Sequence, residues 1–79
     1  MKQEDNKFTW GETVLVKIEA PNNFHPGSIA SVCGMFRASS ENLAKKYHAK
    51  LGDWIYTIEF IGGKDVEIPE CYLEPYKEE

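Results

Sequence analysis

Trp54-Ile55-Tyr56-Thr57-Ile58-Glu59-Phe60-Ile61 is the stretch that decides how this chain folds. It is rich in aromatic and β-branched residues, which suit a pleated surface, and its alternation puts Trp54, Tyr56, Ile58 and Phe60 on one face. Gly62-Gly63 follows and supplies the positive backbone angles that a tight reversal demands. Lys64-Asp65-Val66-Glu67-Ile68 then returns as the second arm of a hairpin, with Val66 and Ile68 turned inward. Pro69 has no amide hydrogen and stops that arm. Beyond it, Pro69-Glu70-Cys71-Tyr72-Leu73 reads as a single turn of tight helix leading to Glu74-Pro75-Tyr76.

Working upstream, Thr13 to Glu19 puts Val14, Val16 and Ile18 on one face, the two-residue period of a half-buried strand, with Leu15 as the exception. Ala20-Pro21-Asn22-Asn23 cannot continue a central strand, and Phe24-His25-Pro26-Gly27 makes a second turn. Ser28 to Met35 alternates weakly, with small residues suited to a tightly bent strand. From Ser39 the period changes. Ser39 or Ser40 can cap a helix, Leu43, Tyr47 and Leu51 fall at four-residue steps, and Gly52 can take the left-handed position after the last turn. The spacing predicts a helix over about 40–51 that docks through those three residues, because so short a helix is not stable by itself.

Five strands, two of them bounded by glycine turns, with one short inserted helix and a near-terminal helical turn, predict a mainly β chain. The expected form is a small SH3-like five-stranded antiparallel barrel. No repeat, linker or long single-sign charge run divides the sequence, so residues 1–79 are expected to form one domain with frayed ends at 1–7 and 77–79.

A chain of 79 residues holds one small core. At that size folding buries about 60% of the surface that the unfolded chain exposes. Apolar residues at 42% and charged residues at 28% fit neither a disordered tail nor a membrane protein. The N-terminus, Met1 to Lys7, lacks the apolar run of a secretory signal, so a cytoplasmic location is expected. Cys33 and Cys71 are then reduced thiols with a packing role. Thirteen acids against nine bases give a net charge of −4, which disfavours binding through nucleic-acid phosphates and favours a basic partner.

Trp54 to Phe60, followed by Val66-Glu67-Ile68-Pro69 and Tyr72-Leu73-Glu74-Pro75, resembles the SH3-like barrels of bacterial β-rich modules. One is the barrel of the nitrile hydratase β subunit. The resemblance covers roughly Phe8 to Tyr76 and marks turns and core positions, so it implies fold and not reaction. The chain is also similar to the short all-β immunity proteins of bacterial polymorphic toxin systems, which pair a Gly-rich second strand with a Trp/Tyr third strand and a closing Leu-x-Pro. That likeness implies a protein that neutralises a toxin by binding it. No binding residue carries over from either family.

The residues give little sign of catalysis. His25, Cys33, His48 and Cys71 are zinc-ligand types, but no closely spaced pair anchors a site, and no metal or cofactor is expected. Nothing around either cysteine resembles a nucleophile elbow, and a ligand cavity of about 300 Å³ would consume much of so small a core. Gly62-Gly63-Lys64 precedes a strand rather than a helix and is not a phosphate loop. Arg37, Lys45, Lys46 and Lys50 form a basic stretch against Glu41 alone, which would serve a nucleic-acid or ribosome-associated barrel, though bases along a helix also keep it wet.

The other end is acidic: Asp53 to Glu79 carries eight carboxylates against two lysines. An acidic hairpin face beside aromatics can dock on a basic protein, with charge complementarity speeding encounter, while the same acids could simply form the wet side of a sheet. The residues expected to bind a partner are Glu59, Asp65, Glu67 and Glu70, with Phe24, Phe36 and Tyr72 as turn aromatics; Trp10, Trp54, Tyr56 and Phe60 are expected in the core. The sequence therefore predicts a non-catalytic protein-binding module of immunity type, with a basic toxin domain as the expected partner. The alternatives are a stand-alone accessory subunit related to the nitrile hydratase barrel and the nucleic-acid reading, and the chain is expected to be a monomer or dimer.

Overall fold

The computed structural model describes residues 7–76; the expected fraying at 1–6 and 77–79 lies outside the described residues. Lys7 is anchored, its backbone N–H donating to Glu70 Oε2 at 2.8 Å. The chain runs β1 (Thr13–Val16), a 3-10 turn (Asn22–Phe24), β2 (Ile29–Arg37), α1 (Glu41–Lys46), β3 (Trp54–Phe60), β4 (Asp65–Pro69), a second 3-10 turn (Glu70–Tyr72) and β5 (Leu73–Pro75). All pairings are antiparallel, in the order β4-β3-β2-β1-β5.

The hairpin read from the sequence is present in register: Glu59 faces Asp65, Ile58 faces Val66 and Tyr56 faces Ile68. Gly62 and Gly63 both hold positive φ, 107° and 96°, in the connection between the arms. Glycine takes that conformation without steric cost. In β2 the register against β3 shifts between Val32 and Gly34. One extra residue there lets Ala30 and Val32 before the shift, and Met35 after it, pack on the same core. The irregularity supplies the bend expected of this strand.

The closed barrel expected from the sequence is not formed by hydrogen bonding: the ladder is an open five-stranded sheet with β4 and β5 at its edges. The reason lies in β5. It has three residues, the Leu73 N–H turns back to Glu70 O, and Pro75 has no donor, so neither residue offers a free N–H to a further ladder. The edges are joined by only three residues, Glu70–Tyr72. So short a link requires the sheet to curl until the end of β4 approaches the start of β5.

Inside the curl lies the main core: Phe8, Val14, Val16, Ala20, Phe24, Ala30, Val32, Tyr56, Ile58, Ile68 and Leu73, with Trp54, Phe60, Val66 and Tyr72 packed against it. Each fully buried isoleucine contributes about 1.5–3 kcal/mol relative to exposure. Trp10, expected here, is 73% exposed, because it sits in the turn before β1 and Phe8 fills the core instead. Ile18 is 78% exposed, since β1 ends at Val16 and the alternation does not reach it.

Helix α1 spans Glu41–Lys46, shorter than the expected 40–51. Ser40 caps it, its hydroxyl accepting from the Leu43 N–H at 3.2 Å. Glu41 at one end and Lys45 with Lys46 at the other complement the helix dipole. Leu51, expected to dock, lies beyond the last turn and is 60% exposed. Docking is done by Ala44, which joins Ala38 and Ile55 in a second small core bordered by Phe36, Tyr47 and Ala49.

Candidate functional site: the uncovered hairpin end

Alternation along β3 and β4 sends Ile55, Thr57, Glu59, Asp65 and Glu67 to the face opposite the main core. The insertion covers one half of that face. Ile55 lies under α1, and the Tyr47 hydroxyl donates to Glu67 Oε1 at 2.5 Å. That bond raises the Tyr47 phenol above its ordinary value, chiefly because only the neutral form keeps it. Glu59 and Asp65, directly opposite each other in the other half, are exposed.

The four expected binding carboxylates therefore divide. Glu67 is half-buried and held by Tyr47. Glu70 is also half-buried: its Oε2 accepts from the Tyr56 hydroxyl at 2.6 Å as well as from the Lys7 N–H, while the Tyr56 oxygen accepts from the Phe8 N–H at 3.3 Å. Burial, then the bond to Glu70, pushes the Tyr56 phenol well above its ordinary value. Glu70 ties the N-terminal segment to the second 3-10 turn and is occupied within the fold, whereas Glu59 and Asp65 face solvent.

None of the three expected contact aromatics stands free. Phe24 is a core residue at 4% exposure, its ring 5.9 Å from Tyr72 and 6.0 Å from His48. The sequence places it in a turn, and the 3-10 geometry of Asn22–Phe24 tucks it under the sheet. Tyr72 packs half-buried on the main core, and Phe36 packs edge-on against Tyr47 at 5.7 Å beside α1.

The apolar surface beside Glu59 is instead made by residues that sequence reasoning does not single out. Ile61, just past the end of β3, is 94% exposed, and Ile29, at the start of β2, is 38% exposed. Two open concavities flank the Phe60–Ile61 ridge. One, of about 330 Å³, is lined by Thr13, Ile29, Ala30, Ser31 and Glu59; the other, of about 360 Å³, by His25, Ser28, Gly62 and Lys64. His25 adopts a left-handed backbone, φ 62°, and sets its ring against Phe60 at 5.1 Å. The signal for Ile61 is its place beside Gly62-Gly63, since hairpin loops project from the sheet.

Of the basic residues, Arg37 stacks over the Trp54 ring at 4.6 Å, and Lys46 lies over Tyr47 at 5.3 Å. Both are cation–π contacts. A smaller concavity of about 200 Å³ by Trp54 is lined by Arg37, Gly52, Asp53 and Glu70, a mixed and not a basic surface. His25 and His48 are both in aromatic contacts, and both cysteines are free thiols. Among the described residues no three His, Cys, Asp or Glu side chains form a group able to hold a metal ion. Cys33, in the irregular part of β2, has its thiol pushed up by burial and then by the negative charges of Glu59 and Asp65. Among the described residues no helix is long and apolar enough to cross a membrane. Comparison with protein-family models, curated proteins and solved structures finds no match to this chain.

Proposed function

We propose that this protein is a non-catalytic binding module of SH3-like barrel type, acting in the manner of an immunity protein that covers the working surface of a basic toxin domain. The fold is compatible with the barrel part of this reading: five antiparallel strands, an irregular second strand and a three-residue 3-10 link that draws the end of β4 towards the start of β5 make a small, strongly curled sheet. The observation that carries the binding part is the juxtaposition of Glu59 and Asp65 on the uncovered half of the sheet, next to Ile61 and Ile29. An apolar ridge beside paired like charges gives little to the stability of one chain, and it matches the composition of a docking surface for a cationic protein.

The test is whether a gene adjacent to this protein's encodes a basic toxin domain and whether its product binds this chain, followed by surface plasmon resonance at low and high salt. Glu59→Lys with Asp65→Lys is expected to slow association about tenfold at low salt, and less at high salt, with the melting temperature unchanged. An association rate indifferent to both substitutions removes the acidic face from the account. Failure of the adjacent product to bind at all removes the immunity reading.

A further inference from the structure

The ridge at the hairpin end has a polarity of its own. Residues alternate across the strands, so Glu59 lies on one side of Phe60–Ile61 and Lys64, which pairs with Phe60, lies on the other. The two concavities repeat the division, one containing Glu59 and the other Lys64 with His25. Ile61 stands between them, and Ile29 borders the acidic side. The Ile18 Cδ1 lies 3.5 Å from the position a Cβ on Gly27 would take, next to Ser28 of the basic side. Three of the exposed large apolar residues thus gather around this end.

A ridge with an acid on one flank and a base on the other is complementary to itself after a half-turn. The geometry points to a second copy of this chain as its occupant: a two-fold dimer in which Ile61 meets the Ile61 of the other copy and each Glu59 faces the other copy's Lys64. Closed homodimers use such an interface, one patch meeting its own image. A hairpin end is small, well below the area of a standard stable interface, so the dimer is weak and forms at high protein concentration. The β5 edge does not compete as a pairing site, because Leu73 and Pro75 present no free amide there. The inference goes beyond the toxin-binding reading and does not need it. Both use Glu59, so a basic partner on the acidic face would displace the second copy.

Sedimentation velocity on the full chain, from about 10 µM to about 1 mM, tests it, with the melting temperature as a check that each exposed-site variant is folded. The wild type is expected to shift toward dimer across that range. Glu59→Lys and Lys64→Glu should each weaken association about tenfold or more, because each places two like-charged pairs across the interface, and Ile61→Asp should abolish it. The double variant E59K/K64E reverses both flanks and should restore dimerisation at low salt. A wild type monomeric at about 1 mM overturns the inference and leaves the ridge to a different chain. Dimerisation that survives either single reversal, or that the double reversal does not restore, overturns it equally. None of these outcomes bears on the toxin-binding reading, which stands or falls by its own measurement.

Discussion

The outer face of β2, β3 and β4 is one surface with two fates. At the Ile55 end, α1 and Tyr47 cover it, and the sheet's outward residues become a second small core with a carboxylate tied down by a phenol. At the Ile61 end nothing covers it among the described residues, and the outward residues are an acid pair and a bare isoleucine ridge. The same alternation produced both halves. The difference is the connection between β2 and β3, residues 38–53, which folds back over one half only. A short insertion thus turns half a polar face into structure and leaves the other half exposed.

The largest effect that could break this contrast is at its two isoleucines. Ile55→Ala is expected to cost about 2–5 kcal/mol, a large share of what so small a domain has, whereas Ile61→Ala should change stability by no more than about 0.5 kcal/mol. Urea denaturation of the two variants reads this directly, and equal losses would mean that the hairpin end is also structural.

Next comes the helix that makes the cover. Ser40→Ala removes the oxygen that accepts the Leu43 N–H. By the same measurement it should cost about 1 kcal/mol. Tyr47→Phe frees Glu67 from its hydrogen bond. A comparable loss is expected there, about 0.5–1.5 kcal/mol.

The tyrosines also fix a pH dependence. In the folded chain Tyr47 and Tyr56 are both raised above the ordinary phenol value, so the native state holds protons that the unfolded chain has given up. Their contribution is fully present below a pH of about 10 and is lost as pH rises beyond it. Thermal melts between neutral and strongly alkaline pH should fall steeply in the wild type and less steeply in Tyr56→Phe; parallel slopes would count against the buried phenol as the cause.

The smallest effect carries the opposite sign. Glu59 and Asp65 face each other as like charges. Asp65→Asn should therefore stabilise the fold by about 0.2–0.5 kcal/mol at low salt, the gain shrinking as salt is added. A loss of stability would show that the acid pair is part of the fold's support rather than a surface kept for contact.

The hairpin, its glycine reversal, the proline stop and the 3-10 turn after it were legible, because each rests on a local rule: alternation, positive φ, a missing donor. The helix cap at Ser40 was legible for the same reason. The helix length was not, since Leu43, Tyr47 and Leu51 keep a helical spacing whether or not the backbone continues to Leu51. Phe24 and Trp10 exchanged their expected places because burial of an aromatic in a turn depends on what the turn folds against, which neighbours in sequence do not reveal. Of the acids, all four read as one face, and hydrogen bonds from Tyr47, Tyr56 and the Lys7 backbone separate Glu67 and Glu70 from the rest.

The amino-acid order by itself settled that this is a mainly β chain whose strands reverse where glycine and proline permit, because backbone conformation responds to the nearest few side chains. Only the three-dimensional arrangement decided which outward residues were covered, which carboxylates were held and that the sheet curls without closing. Those outcomes depend on contacts between segments distant in sequence: the Lys7 amide and Glu70, 63 residues apart, or the tyrosine of the insertion and the glutamate of β4, 20 apart.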